Sequence, residues 1–276
     1  MRVFYFLVLL LISILPVYLI CLYVYKKDDK KEPSKLLRKL FIFGMLSCIP
    51  AAILEIILEP FFGVEENRNL IVWFIYATSS IALVEELFKW LVVYKISYSH
   101  KAFDQVYDAI VYAVFVSLGF ACLENILYVL DSGIKVGLFR ALTAIPGHAY
   151  DAIIMGNYLG LAKIADINNN SKLFKKNLLL SILLPTLAHG IYDYCLFSEN
   201  YILVGIFFVF IVFIYIHSIK KIKLVSSLRK NIFNDKMTFN SEYISICHNC
   251  GTHSNGNFCT SCGTKLHINK LNSDNT

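Results

Sequence analysis

Apolar runs of 20 or more residues recur from the N-terminus to about residue 219, and no other feature restricts the fold as strongly. At 1.5 Å per helical residue, each run can cross a hydrocarbon core about 30 Å thick. The bilayer interior offers no water to backbone N–H and C=O groups, so only helices or closed barrels cross it. Barrel strands would alternate over about ten residues, whereas these runs are continuous. The chain reads as all-α, a polytopic bundle of transmembrane helices. Its composition agrees, with 57% of the 276 residues hydrophobic and only 17% charged, against about 25% charged in a soluble domain.

The runs predict seven spans, at 3–25, 40–61, 70–94, 106–130, 136–161, 177–197 and 201–219. The first is too long for a signal-peptide core and lacks a small-x-small cleavage site, so it reads as retained. Pro50, Glu55, Glu59 and Pro60 interrupt the second. Lys26, Lys27, Lys30, Lys31, Lys35, Arg38 and Lys39 follow the first run, and only Arg2 precedes it. Lysines recur in 95–105, in 162–176 and directly after 219, while 62–69, 131–135 and 198–200 hold only Arg68 and Lys135. Basic residues mark the cytoplasmic side, which puts the N-terminus outside and the tail in the cytoplasm. The net charge of +6 is then a topology signal, and no nucleic-acid partner is expected.

Ionisable groups inside a span face a bundle interior or a wet cavity. Here they recur on four spans. Glu85-Glu86-x-x-Lys89 places Glu85 and Lys89 four residues apart on one helix face. The next span carries Phe120-x-x-x-Glu124-Asn125, the next Gly147-His148-Ala149, and the next His189-x-x-x-Asp193. His148 and His189 are expected near mid-span, Glu85 and Glu86 slightly toward the cytoplasm, and Glu124 nearer the outer end. Pro146 and Pro185, each just ahead of a histidine, are expected to kink their helices and help hydrate a shared chamber.

These motifs, in this order over residues 70–197, resemble the PrsW family of intramembrane proteases, related to the CAAX prenyl endopeptidases. The resemblance implies an enzyme of the bacterial cell membrane that cuts peptide bonds of membrane-anchored, single-span proteins such as anti-sigma factors. The chemistry suits a hydrolase. Glu85 or Glu86 can act as the base for water, with Lys89 tuning it. His148 and His189 can polarise the carbonyl or bind water, Asp193 can orient His189, and Glu124 can complete the water-binding group. Paired glutamates can activate water directly, so a membrane domain without metal is expected. A metal held by His148, His189 and a glutamate is the alternative. A second reading is a non-enzymatic transporter or sensor scaffold that uses the same groups as a proton relay. The inverted repeats common in transporters are not evident, which favours the enzyme.

The remaining chain divides into a basic linker at 220–246, a module at 247–264 and a polar tail at 265–276. Cys247 and Cys250, then Cys259 and Cys262, form two C-x-x-C-G-T knuckles. That pattern predicts a small ribbon folded around one structural zinc, facing the reducing cytoplasm, where a protein partner could dock. A reporter enzyme fused after residue 276 should be active only in the cytoplasm. Activity confined to the outer face would overturn the charge argument.

Overall fold

The computed structural model describes residues 2–62, 69–198 and 200–227, and in the tail 245–247, 249–250, 253–254, 259, 261–262 and 264. The chain divides into two compact units, Met1–Arg229 and Lys230–Thr276. The first contains α1 (Arg2–Lys27), α2 (Ser34–Leu58), α3 (Leu70–Tyr76), α4 (Leu83–Ser97), α5 (Val106–Ser132), α6 (Ile134–Leu142), α7 (Ala144–Ile167), α8 (Ser171–Phe197) and α9 (Tyr201–Ser227). A π-helical segment, Ala77–Ala82, joins α3 and α4 into one rod. Helix α2 runs through Pro50 and ends in a 3-10 turn, Glu59–Phe61.

Six helical rods among the described residues are long and apolar enough to cross a membrane. The expected span at 136–161 is not one of them. It is broken at Thr143 into the short α6 and the 24-residue α7. At about 36 Å, α7 is long enough to cross, but His148, Asp151, Asn157, Lys163 and Asp166 make it too polar for lipid. Most of α7 is buried instead, including His148, Asp151 and Asn157. The reverse holds for α9, which is apolar up to Ile216 and largely exposed, as suits a helix facing lipid. Its helix continues to Ser227, so Lys220, Lys221 and Lys223 belong to the bundle and not to a linker. Residues 228–244 and 265–276 lie outside the described residues.

The alternation of ends inferred from charge appears in the contacts. Lys30, after α1, pairs with Asp104, before α5. Tyr98, after α4, accepts a hydrogen bond at its carbonyl from Lys163 near the end of α7, at 2.9 Å. These lysine-rich connections therefore meet at one end of the bundle. Lipid supplies no hydrophobic drive for helices to associate, so close backbone approach must do so. Gly44 of α2 lies against the Val116 carbonyl, and Gly119 of α5 answers it against the Phe41 carbonyl. Gly156 and Gly160, four residues apart on α7, bring that helix onto α5 in the same way.

In the second unit Ser245–Ile246 pairs antiparallel with His253–Ser254. For the bundle, a Cβ at Gly156 would meet the Ala109 oxygen and the Ile110 Cα at 2.5 Å, whereas one at Gly205 would meet nothing within 4 Å. Gly156→Val should therefore cost about 1–3 kcal/mol or more through overpacking, seen as a lower melting temperature in detergent. Gly205→Ala should leave melting unchanged or slightly raised.

Candidate active site

A buried lysine sets the geometry. On α4, Lys89 Nζ donates to Glu85 Oε2 and Glu86 Oε1, each at 2.8 Å. It also lies 4.3 Å from the centre of the Phe120 ring on α5, a cation–π contact. Lys89 and Glu86 have no exposed surface, and Glu85 has little. Charges removed from water this far persist only when paired and hydrogen-bonded. The i,i+3 and i,i+4 spacings supply that pairing within one helix.

Two histidines extend the network onto α7 and α8. Lys89 Nζ also lies 3.2 Å from His148 Nδ1. Lysine has only donors, so Nδ1 accepts and His148 Nε2 donates to Glu124 Oε2 at 2.9 Å. The other Glu124 oxygen pairs with Arg140 Nη2 on α6 at 2.9 Å. His189 Nδ1 donates to Glu86 Oε1 at 3.0 Å. Its Nε2 faces Asp193 Oδ2 at 3.4 Å, a charge contact longer than an ordinary hydrogen bond. The two rings meet edge to face, with centres 5.3 Å apart.

Local structure explains this convergence. The π-helical segment lies just ahead of the glutamates, and Gly190, beside His189, lets α8 close onto Thr78 within it. Ser117 of α5 donates to the His148 carbonyl at 2.9 Å and fixes the start of α7. Pro146 does not kink a helix as expected. It sits in the first turn of α7, where its missing N–H has no intrahelical partner to lose. Because α7 begins at Ala144 rather than near 136, His148 lies close to its helix start and reaches the depth of Glu124. Pro185 does lie inside its helix, α8.

All seven expected residues, Glu85, Glu86, Lys89, Glu124, His148, His189 and Asp193, thus join one network. A cavity of about 500 Å³ reaches it, lined by Glu85, Glu124, His148, His189 and Asp193, and also by Glu55, Tyr128, Arg140, Asp151 and Tyr192. Arg140 escaped the sequence reading, although a lone arginine in an apolar run was a usable signal. Asp151, three residues after His148, is buried beside the cavity. Glu124 lines the cavity, and its oxygens pair with His148 and Arg140.

One ligand atom from each of Glu85, Glu86, His148 and His189 lies within 4.8 Å of the others. Glu86 Oε2 is buried without a hydrogen-bond partner, and the outer nitrogens of both rings face carboxylates, the usual support for metal-binding histidines. The set fits a divalent metal ion. In the tail unit Cys247, Cys250, Cys259 and Cys262 also converge within 4.8 Å. Sγ atoms of Cys247 and Cys262 are 3.5 Å apart, and those of Cys250 and Cys259 are 3.4 Å apart. Burial raises the Cys262 thiol, but hydrogen bonding with Thr264, Cys250 and Cys247 together outweighs it and lowers the thiol to about 6.

A membrane-embedded helical bundle with paired buried glutamates, two histidines and a cavity has the groups an intramembrane hydrolase needs. Comparison with known proteins identifies its kind. A family model described as "PrsW family intramembrane metalloprotease" matches residues 32–217. Protease PrsW of Oceanobacillus iheyensis is 40% identical over 211 residues, covering 76% of this chain and 93% of that protein. Protease PrsW of Geobacillus kaustophilus is 40% identical over 179 residues, covering 64% and 75%, and that of Bacillus subtilis 36% over 208 residues, covering 75% and 90%. No solved structure matches. The chain belongs to the PrsW family of intramembrane proteases and is a membrane-embedded endopeptidase.

Removing the lysine should expose how much depends on it. Lys89→Met leaves two carboxylates without their buried counter-charge and should cost about 3–5 kcal/mol of stability, read from thermal melting. Adding Glu85→Gln should recover part of that loss. Unchanged melting of Lys89→Met would show that the ion pair carries no structural weight.

Proposed function

We propose that the chain cuts single-span membrane proteins, with anti-sigma factors as one class, at a centre formed by Glu85, Glu86, His148 and His189. The observation that carries this reading is the convergence of those four donors, three of which, Glu85, His148 and His189, line the cavity. Glu85 lines the cavity, whereas Glu86 is held behind it between Lys89 and His189. Glu85 is therefore the general base. It takes a proton from water as the oxygen attacks the scissile carbonyl, then returns it to the leaving nitrogen. The histidines, each bound on both sides within the network, position the centre around the attacked carbonyl. Glu124 and Asp193 hold the two rings from outside, and Lys89 keeps both glutamates in place. Glu86, His148 and His189 would hold a divalent metal such as zinc, leaving Glu85 free as the base and a fourth position open; the ion would polarise the carbonyl and lower the pKa of its water.

The cavity lies where α2, α5 and α8 end and α7 begins, opposite the lysine-rich connections. The charge rule makes that the outer face, so substrates are cut in the outer half of the membrane or just outside it. The four tail cysteines hold a second, structural zinc on the cytoplasmic side, where the ribbon docks a protein partner.

Purified protein in liposomes with a single-span substrate tests the site. Glu85→Gln should lower turnover by roughly a hundredfold or more, and Asp193→Asn should lower it less. Wild-type turnover by both Glu85→Gln and Glu86→Gln would place the chemistry elsewhere. Metal analysis tests the ions separately. One zinc should leave with Cys250→Ser/Cys259→Ser and a second with His148→Ala/His189→Ala. Loss of none in the histidine variant would return the mechanism to glutamate alone.

A further inference from the structure

At the opposite end of the bundle lies a second cluster of ionisable groups, which the hydrolytic centre does not use. Asp28 and Glu32 come from the connection between α1 and α2, and Asp104 and Asp108 from the start of α5 and the residues before it. One ligand oxygen each from Asp28, Glu32 and Asp108 lies within 4.8 Å of the others. All three are buried, with Asp28 2% and Asp108 0% exposed. Part of this is ordinary structure. Asp108 Oδ2 caps α5 by accepting from the Asp104 and Gln105 N–H groups at 2.9 and 2.6 Å. Asp28 Oδ1 accepts from the Lys30 N–H at 3.2 Å, and Glu32 accepts from the Tyr112 hydroxyl.

The remainder is not accounted for by the fold. Asp28 Oδ2, Asp104 Oδ1 and Asp108 Oδ1 are buried without any hydrogen-bond partner. Unsatisfied carboxylate oxygens away from water are costly, and three such groups repel one another. Lys30 pairs with Asp104, but its side chain is 61% exposed, so it offsets little of this charge. We propose that Asp28, Glu32 and Asp108, with Asp104 beside them, form a binding site for a hard divalent cation such as Ca²⁺ or Mg²⁺. All donors are oxygens, as these ions require, and none is the imidazole or thiolate that zinc prefers. The ion ties the α1–α2 connection to the start of α5, the helix that carries Glu124.

Mn²⁺ titration of the full chain in detergent, followed by the electron paramagnetic resonance signal of free Mn²⁺, tests this. The His148→Ala/His189→Ala background weakens the hydrolytic centre, and the tail thiolates are poor Mn²⁺ ligands. About one Mn²⁺ per chain should bind and be displaced by Ca²⁺ or Mg²⁺. Adding Asp28→Asn and Glu32→Gln should weaken binding by roughly tenfold or more, because ligand charge sets affinity. The metal-free melting temperature should not fall, since like charges have been removed. Independently, Ca²⁺ should raise the melting temperature of the background protein more than Na⁺ at equal ionic strength. Absence of saturable Mn²⁺ binding, equal binding after the two substitutions, or no Ca²⁺-specific stabilisation would each overturn the site.

Discussion

A lysine ammonium buried between two carboxylates, in a bundle surrounded by lipid, is the constraint on which the rest of this structure depends. Lys89 cannot be neutralised by water, so Glu85 and Glu86 must lie beside it, and Phe120 closes over it. Once that pair exists, its leftover hydrogen-bonding capacity decides what neighbouring helices can offer. His148 takes the remaining reach of Lys89, and His189 takes Glu86. Each ring then faces a carboxylate on its far side, and Glu124 in turn needs Arg140. The same chain of necessities that stabilises the charges also arranges two carboxylates, two imidazoles and a cavity wall.

Packing makes that arrangement possible. A helix as polar as α7 cannot face lipid, so it is enclosed by α5, α8 and their neighbours, and glycine contacts let the backbones approach. Gly156 and Gly160 let α7 approach α5 at Val106, Ala109 and Ile110. Gly190 does the equivalent for α8 against the π-helical segment. Such segments often mark functional sites, and this one directly precedes Glu85 and Glu86. Large apolar side chains of α1 and α9 complete the outer surface.

Much of this was legible in the sequence, because intramembrane charge is rare enough to stand out. Every expected catalytic residue joins the network, and the alternation of lysine-rich connections matches the ends at which those connections meet. The break at Thr143 was not legible, since the apolar run continues across it and Pro146 carries the same signature whether it kinks a helix or starts one. That error displaced His148 along its span and left Glu124 stranded in the sequence reading. Arg140 was missed because its partner, Glu124, lies on another helix. The ion pairs Lys30–Asp104 and Glu124–Arg140 join residues far apart in sequence, which spacing alone does not show.

Peptide-bond hydrolysis in a cavity that opens opposite the lysine-rich end leaves its products on one side of the membrane. Mass spectrometry of single-span membrane proteins from cells with and without this chain addresses it most directly. New termini that depend on the chain should fall in the outer half of a span or just outside the membrane, with uncut protein accumulating when the chain is absent. Chain-dependent cuts on the cytoplasmic side, or no chain-dependent cut at all, would contradict this.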